Sequence, residues 1–349
     1  MIAYWLLYLA AVFACISNAH PDKSSSQTGL WKAFGALAVL MIGFRFQVGG
    51  DWGSYLSIYQ AIASAPESLH GYSVAGDFGY IELNLLMDRL GAGIYGVNLV
   101  CGMIFVFGLQ KFARQQPLPW LAMAVAIPYL LVVVAMGYTR QAVALGFLFW
   151  GLSMLQRGRW KAYVTAIIMG ALFHKTVVVC LPFALLGQER LMAIRWLPMA
   201  AITGAAGVAF LGDYYDALMT NYVAAGMESS GALVRVGLNL TPAILLLLIW
   251  RRWKEKFGKD GPWRWMALMT LGAMVLLPIA STAVDRMALY LAPLQLVVWS
   301  RVPLLFATVR ARTFAIATIL GLYATVLFVW LTYATHARYW LPYQNVIFQ

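Results

Sequence analysis

Long apolar stretches alternate with short polar segments from one end of the chain to the other. Inside a bilayer every backbone polar group must be satisfied within the protein, and a helix does this within a single segment. Each run therefore predicts a membrane-spanning helix, with approximate bounds, because several runs are shorter than the ~20 residues that cross a bilayer. The twelve runs are 3–17, 30–44, 93–110, 119–136, 139–155, 162–173, 176–187, 196–212, 236–250, 265–280, 286–300 and 313–334.

The runs 162–173 and 176–187 are open to two interpretations, because His174 and Lys175 lie between them. They predict either one long interrupted helix or a helical hairpin with these two residues at its tip. One continuous helix would place the basic segment "RRWKEKFGKDGPWR" on the outer side of the membrane. Basic residues favour the cytoplasmic side, so we predict the hairpin.

The composition changes this picture little, since 62% of the 349 residues are hydrophobic and 11% are charged. A soluble domain has about 25% charged residues. We therefore predict an all-α, polytopic integral membrane protein with about 12 transmembrane helices and a single domain over residues 1–349. The three cysteines stand singly in apolar runs, so no disulfide framework is expected.

The net charge of +12 is distributed unequally across the predicted membrane. With the hairpin, 18 of the 25 lysines and arginines fall on the inner side and the remainder on the outer side. This asymmetry follows the positive-inside rule, and it explains the charge without a nucleic-acid partner. It places both termini outside.

The first large outer loop is predicted over residues 45–90. It contains a short helix over 51–63 and an amphipathic helix over 80–90. The apolar positions of the second helix are Ile81, Leu85 and Met87. Its acidic positions are Glu82 and Asp88.

Two more outer segments follow. Residues 213–235 form the second large loop, and the chain ends in the segment "THARYWLPYQNVIFQ". In that last segment Tyr339, Trp340 and Tyr343 suit a membrane-interface belt.

Five of the outer cations stand next to the mouth of a predicted span. Charges near the membrane interior are costly and tend to be functional, although each one has the simpler alternative of pairing with an outer acid or reaching the headgroups. Guanidinium groups fit phosphate oxygens bidentately, so the set predicts a shared anionic ligand, a lipid phosphate or pyrophosphate. The five are Arg45, Arg140, Lys175, Arg235 and Arg286.

The segment "GFRFQVGGDWGSYLSIY" places a carboxylate at the same border. Asp51 is spaced with Tyr55 and Tyr59 at i, i+4 and i+8, on one helical face, and the two preceding glycines permit a tight turn. An ionised Asp51 beside Arg45 would orient or deprotonate a sugar hydroxyl. Asp before a short helix is also a favourable N-cap, and the sequence leaves both roles open.

Three further segments, "GYTRQAVAL", "GALFHKTVVV" and "STAVDRMALY", place polar side chains at outer mouths. Thr139 is a candidate helix cap. His174 is a candidate general base or phosphate ligand, or else a hydrogen-bonded structural group. Arg286 and Tyr290 share a helical face. The candidates from these segments are Arg140, Gln141, His174, Lys175, Asp285, Arg286 and Tyr290.

Other kinds of site have no support in the sequence. The four histidines lack the spacing of zinc ligands. There is no P-loop, no G-x-S-x-G and no D-x-D of the kind that holds a metal and a nucleotide. We therefore expect neither a metal nor a cofactor.

Five motifs follow one another in a fixed order along the chain: R-x-x-x-G-G-D-x-x-x-Y from Arg45 to Tyr55, "DFGYIELNLL" at 77–86, "TRQAVAL" at 139–145, "ALFHKTVVV" at 171–179 and "DRMALY" at 285–290. This order resembles the EpsG-like exopolysaccharide polymerases, relatives of the Wzy-type O-antigen polymerases. The resemblance runs over most of the chain. The positions that match the family pattern residue by residue are Arg45, Asp51, Arg140, His174 and Arg286.

The resemblance implies a multi-span glycosyltransferase of the GT-C type in the bacterial inner membrane. Members of such families join undecaprenyl-pyrophosphate-linked oligosaccharides on the periplasmic face, without a nucleotide sugar. An acceptor hydroxyl would attack the anomeric carbon and lipid pyrophosphate would leave. We expect Arg140 and Arg286 to stabilise the leaving group with Arg45 or Arg235 assisting, and Asp51 or His174 to take the proton. Membrane lipids and chain-length and export proteins are the implied partners.

Three alternatives remain open. A flippase of lipid-linked sugars would carry midplane charges and inverted repeats, whereas the ionisable residues here crowd the outer edge. A membrane acyltransferase would draw its donor from the cytoplasm, so its essential residues would lie on the inner side. A non-catalytic subunit of a polysaccharide assembly complex would be inert by itself.

Overall fold

The computed structural model describes residues 1–17, 26–64, 77–185, 232–258, 261–278 and 281–349, with the backbone alone at 26, 27 and 261. In these segments the regular structure is helical, apart from one isolated antiparallel bridge between Arg45 and Asn345. The predicted span 196–212 and the first nineteen residues of the loop 213–235 lie outside the described residues.

The helices match the predicted runs closely. A 3-10 helix, Lys175–Leu185, follows the α-helix Trp160–Ala171. The α-helices are α1 (Ile2–Ser17), α2 (Ser26–Gly43), α3 (Trp52–Ala63), α4 (Phe78–Arg89), α5 (Gly93–Ala113), α6 (Pro119–Gly137), α7 (Thr139–Leu155), α8 (Trp160–Ala171), α9 (Ala232–Leu248), α10 (Trp250–Phe257), α11 (Gly261–Leu276), α12 (Ser281–Ala288), α13 (Pro293–Arg301) and α14 (Val309–Tyr333). The all-α prediction is confirmed for this part of the chain.

Length and apolar composition qualify three of the described helices as membrane spans, namely α5, α6 and α14. Two bent pairs qualify if each is counted as one span. The chain turns by 79° between α9 and α10, and by 45° between the segments Ser281–Leu291 and Pro293–Leu305. The apolar helices α1 and α2 are shorter. A membrane protein with three to five such spans is therefore supported, and the number twelve stays a prediction.

The hairpin prediction is confirmed for residues 162–185, the part of the predicted 162–187 that the structure describes. The hydroxyl of Tyr163 in α8 donates to the carbonyl of Cys180, at 2.6 Å, and Gly170 packs against Val177. The two arms are therefore antiparallel, and His174 lies in the connection between them.

Helix α6 is the centre of the bundle, because every residue in its apolar window is buried. Its second half, Ile127–Val134, is a π-helix, in which the wider turn weakens the usual hydrogen-bond ladder. The indole nitrogen of Trp340 donates to the Val132 carbonyl at 2.8 Å. Trp340 is 2% exposed, so its predicted place in an interface belt is wrong: its ring packs inside the protein.

Helices α5 and α7 run parallel and touch through their backbones. A Cβ added to Gly108 would collide with the carbonyl of Gly146, so the two glycines permit this close approach. The starts of both helices lie at the same end of the bundle, where Asn98 and Thr139 accept hydrogen bonds from one arginine. That end carries the candidate site.

Both short helices predicted for residues 51–63 and 80–90 are confirmed as α3 and α4. In α4 Ile81 and Met87 are buried and Leu85 is half-buried, while Glu82 and Asp88 are exposed. The amphipathic pattern therefore describes the packing of α4 against α5 correctly.

Candidate functional site

Arg45 is the buried anchor of the candidate site. It is 1% exposed, and its guanidinium donates to the carbonyls of Ile42 and Val48, at 2.6 and 3.2 Å. It also donates to Asn98 Oδ1 at 3.0 Å and to Thr139 Oγ1 at 2.9 Å. Four bonds to its own protein therefore join the end of α2 to the starts of α5 and α7.

Thr139 accordingly does not cap α7. The N-cap is Tyr138, and no side chain makes a capping hydrogen bond there. The Thr139 hydroxyl accepts from Arg45, because its oxygen lies beside the buried guanidinium, which needs acceptors more than the helix end does.

The loop before Asp51 is fixed by the C-terminal segment. Phe46 donates to the Gln344 carbonyl at 3.0 Å, and Gly49 donates to the Tyr339 carbonyl at 2.9 Å. Gly49 has φ 111°, and a Cβ there would collide with the Met136 carbonyl of α6. Only glycine fits this position without strain, and the resulting turn delivers Asp51 to the bundle end.

Asp51 immediately precedes α3, but its side chain makes no capping hydrogen bond. The capping alternative is therefore not supported by the geometry. Burial is the largest influence on the Asp51 carboxyl and raises its pKa. The charges of Arg286, Arg140 and His336 act in the opposite direction. Asp51 is thus half-buried and lies within electrostatic reach of two guanidinium groups from α7 and α12.

A second carboxylate, Asp77, lies beside Arg140 and His174. Asp77 Oδ2 is 3.1 Å from Arg140 Nη1 and 3.9 Å from His174 Nδ1. Asp77 is buried, whereas the Arg140 side chain is 30% exposed. The ion pair therefore fixes the position of the Arg140 guanidinium, while part of the Arg140 side chain stays exposed.

Asp77 was missed as a site residue, although it begins the quoted motif at 77–86. An aspartate before a helix is typical of an N-cap, and this position gave no other signal. The structure gives Asp77 no capping hydrogen bond, because its carboxylate faces Arg140 and His174 instead.

The two tyrosines predicted to share one face of α3 contact different parts of the protein. The Tyr55 hydroxyl accepts from the Arg140 backbone N–H, at 3.4 Å, and its ring packs edge-on against Tyr80. Arg140 also lies over the Tyr80 ring, 6.0 Å from its centroid. Tyr59 points elsewhere and donates to Asp88 at 2.7 Å.

Helix α12 is tied to the same end of the bundle by backbone and side-chain contacts. Gln141 Nε2 donates to the Arg286 carbonyl at 2.8 Å. The Tyr290 hydroxyl lies 2.9 Å from Thr176 Oγ1, beyond the hairpin tip. The Arg286 side chain is exposed, and its charge acts to lower the pKa of Asp51.

The remaining two cations are arranged differently. Arg235 and Asp285 form a bidentate pair, with Nε–Oδ1 2.8 Å and Nη2–Oδ2 2.6 Å. Lys175 is exposed beside His174. Of the five predicted cations, then, Arg45 is enclosed, Arg140 pairs with Asp77, Arg235 pairs with Asp285, and Lys175 and Arg286 are exposed.

Within the described residues, no three His, Cys, Asp or Glu side chains are grouped so that they could hold a metal ion. The site instead combines Asp51 and Asp77 with arginines and a histidine.

These features define a helical membrane protein with a cluster of carboxylates and arginines at one end of its bundle. The chain belongs to the EpsG family, which matches it over residues 30–345. The match includes all five motifs from which the resemblance was inferred, and it supports a role in exopolysaccharide biosynthesis. No curated protein and no solved structure matched the chain.

Proposed function

We propose that the protein is a polysaccharide polymerase that joins oligosaccharide repeat units carried on undecaprenyl pyrophosphate. The reaction would take place at the bundle end that contains Asp51, on the periplasmic face of the inner membrane. Membership of the EpsG family supports the polymer-forming role. The observation that carries the chemistry is the position of Asp51 within the field of both Arg140 and Arg286.

The reaction makes and breaks one bond to the anomeric carbon of the donor. An acceptor hydroxyl oxygen attacks that carbon, the bond to the pyrophosphate oxygen breaks, and its electron pair leaves with the lipid pyrophosphate. Negative charge therefore grows on the leaving group. Preorganised cations stabilise such charge strongly because they need no rearrangement. We assign this role to Arg140 and Arg286, with Lys175 at the rim.

The hydroxyl proton goes to Asp51 in this proposal. The carboxyl is half-buried, and its pKa is raised by burial, which makes it a better proton acceptor than a solvated aspartate. Asp77 and His174 form the second acid–base pair, and we assign to them the orientation of Arg140 and of the bound sugar.

Other predicted residues act as positioning residues. Arg45 holds three helix ends together, Gln141 holds the backbone of Arg286, and the Arg235–Asp285 pair joins α9 to α12. Tyr55 and Tyr290 are assigned the same task. Four of the five guanidinium N–H groups of Arg45 already donate within the protein, so at most one is left for a ligand.

Purified protein in lipid nanodiscs, supplied with undecaprenyl-pyrophosphate-linked repeat units, tests the proposal. Asp51→Asn, Arg140→Gln and Arg286→Gln should each lower the polymerisation rate by about 100-fold or more. Arg89→Gln is the matched control, since Arg89 is an exposed cation at the end of α4. Full polymer ladders from all three variants would refute the assignment of the active site to these residues. Lipid translocation without new glycosidic bonds would favour the flippase.

A further inference from the structure

An apolar groove lies between α5 and α7, further along α7 than Arg140. It has a volume of about 370 Å³ and is lined by Met103, Ile104, Phe107, Gly146, Phe147 and Trp150. Met103 and Phe107 are 45% and 52% exposed. This volume is within the range of ~300–1,000 Å³ that is typical of ligand pockets.

We propose that this groove holds the first isoprene units of the polyprenyl chain of the lipid-linked substrate. The inference rests on the proposed function, since that function supplies a polyprenyl pyrophosphate whose headgroup lies at Arg140. It adds a binding site for the hydrocarbon part of the same molecule.

The position of the groove along α7 supports the proposal. Phe147 follows Arg140 by seven residues, which is close to two full turns and places both on one helix face. At 1.5 Å per residue, Phe147 lies about 10 Å and Trp150 about 15 Å further along the axis. A chain that leaves a pyrophosphate at Arg140 and enters the bilayer therefore passes along this surface.

The groove is also continuous with the site through side-chain contacts. Phe147 stacks on Phe173, with ring centroids 6.2 Å apart and planes 29° apart. Phe173 directly precedes His174, whose ring nitrogen faces Asp77. Apolar side chains thus begin one residue from the acid–base pair and lead into the groove.

The shape of the groove follows from the two glycines between α5 and α7. Gly108 and Gly146 bring the two backbones into contact, so the floor is closed. The large side chains of Phe107 and Trp150 stand on opposite helices and form walls. An apolar slot with aromatic walls suits a methyl-branched hydrocarbon chain, because aromatic faces offer large apolar contact areas.

A photoreactive benzophenone side chain at the position of Phe107 tests the groove directly. The matched control carries the same side chain at the position of Phe328, which is 48% exposed on α14. Both full-length proteins are irradiated in phosphatidylethanolamine–phosphatidylglycerol vesicles that contain undecaprenyl pyrophosphate. We expect polyprenyl adducts at 107 far above those at 328.

Equal labelling at the two positions, phospholipid adducts alone at 107, or a cross-link from 107 to another segment of this chain would overturn the inference. The readout does not depend on turnover. A protein that makes polymer without selective adducts at 107 contradicts the groove alone. A selective adduct without any polymer contradicts the polymerase function and leaves the groove in place.

A second measurement uses the length of the prenyl chain. Phe147→Ala and Trp150→Ala remove aromatic area from the groove, so KM for the undecaprenyl substrate should rise about tenfold. KM for a one-isoprene analogue, whose chain ends before Phe147, should stay nearly constant. Equal changes for both substrates would assign these two residues to the headgroup site or to general packing.

Discussion

Arg140 and Asp77 form an ion pair between the starts of two helices, with Nη1 3.1 Å from Oδ2. They are 63 residues apart in the sequence. Asp77 also lies 3.9 Å from His174 Nδ1, so one buried carboxylate connects the start of α4, the start of α7 and the hairpin tip. Removal of the Asp77 carboxylate should therefore change the positions of both Arg140 and His174.

Asp77→Asn should lower kcat by about 100-fold with a smaller change in KM, because an Arg140 that loses its partner leaves the productive geometry. Asn keeps the shape of the side chain, so the yield and melting temperature should stay close to wild type. Asp88→Asn is the control: Asp88 is an exposed carboxylate on the same helix, bonded to Tyr59. Wild-type kcat in Asp77→Asn would refute the positioning role.

Arg45→Gln should destabilise the protein by about 3–5 kcal/mol, because it removes a buried charge and leaves several acceptors without a donor. Thermal unfolding in nanodiscs measures this effect. The specific activity of the folded fraction should fall much less than in Arg140→Gln. If the melting temperature is unchanged and binding of undecaprenyl pyrophosphate is lost, Arg45 binds the ligand and does not have the structural role assigned here.

Gly49→Ala should destabilise the protein by more than about 2 kcal/mol. Its φ is positive, which is costly for alanine, and the added Cβ meets the Met136 carbonyl. Gly53→Ala provides the matched comparison, because an added Cβ there has no neighbour within 4 Å. That substitution within α3 should stabilise by about 0.5–1 kcal/mol. Similar melting temperatures for the two variants would contradict this difference.

The acid limb of the pH–rate profile should report Asp51. The carboxylate form accepts the proton, so activity rises with pH as Asp51 ionises. Burial raises the pKa of Asp51, and Arg286 is the largest influence that lowers it. Arg286→Gln should therefore move the limb to higher pH, in addition to lowering the maximal rate. Arg338→Gln removes an exposed cation from the C-terminal segment and should leave the limb in place; a downward shift in Arg286→Gln would exclude Asp51 as the titrating group.

The helices themselves were predictable, because a helix satisfies the backbone hydrogen bonds of an apolar run within lipid. The positive-inside pattern also chose the hairpin, and the contact between Tyr163 and Cys180 confirms it. Trp340 shows the limit of such patterns. An aromatic residue in a polar tail is typical of the interface, but the carbonyl of a π-helix gives its indole N–H a buried partner.

The sequence by itself determined the kinds of element, their order and the family to which the chain belongs, because these depend on local periodicity and on motifs of adjacent residues. Only the tertiary structure decided which charges work together. Arg45, Arg140, Arg235 and Arg286 look alike as cations at the mouths of predicted spans, yet Arg45 is enclosed, Arg140 pairs with Asp77, Arg235 pairs with Asp285, and Arg286 is exposed. Pairing between charges depends on distances of a few ångströms across helices that are far apart in the chain, and no local pattern encodes those distances.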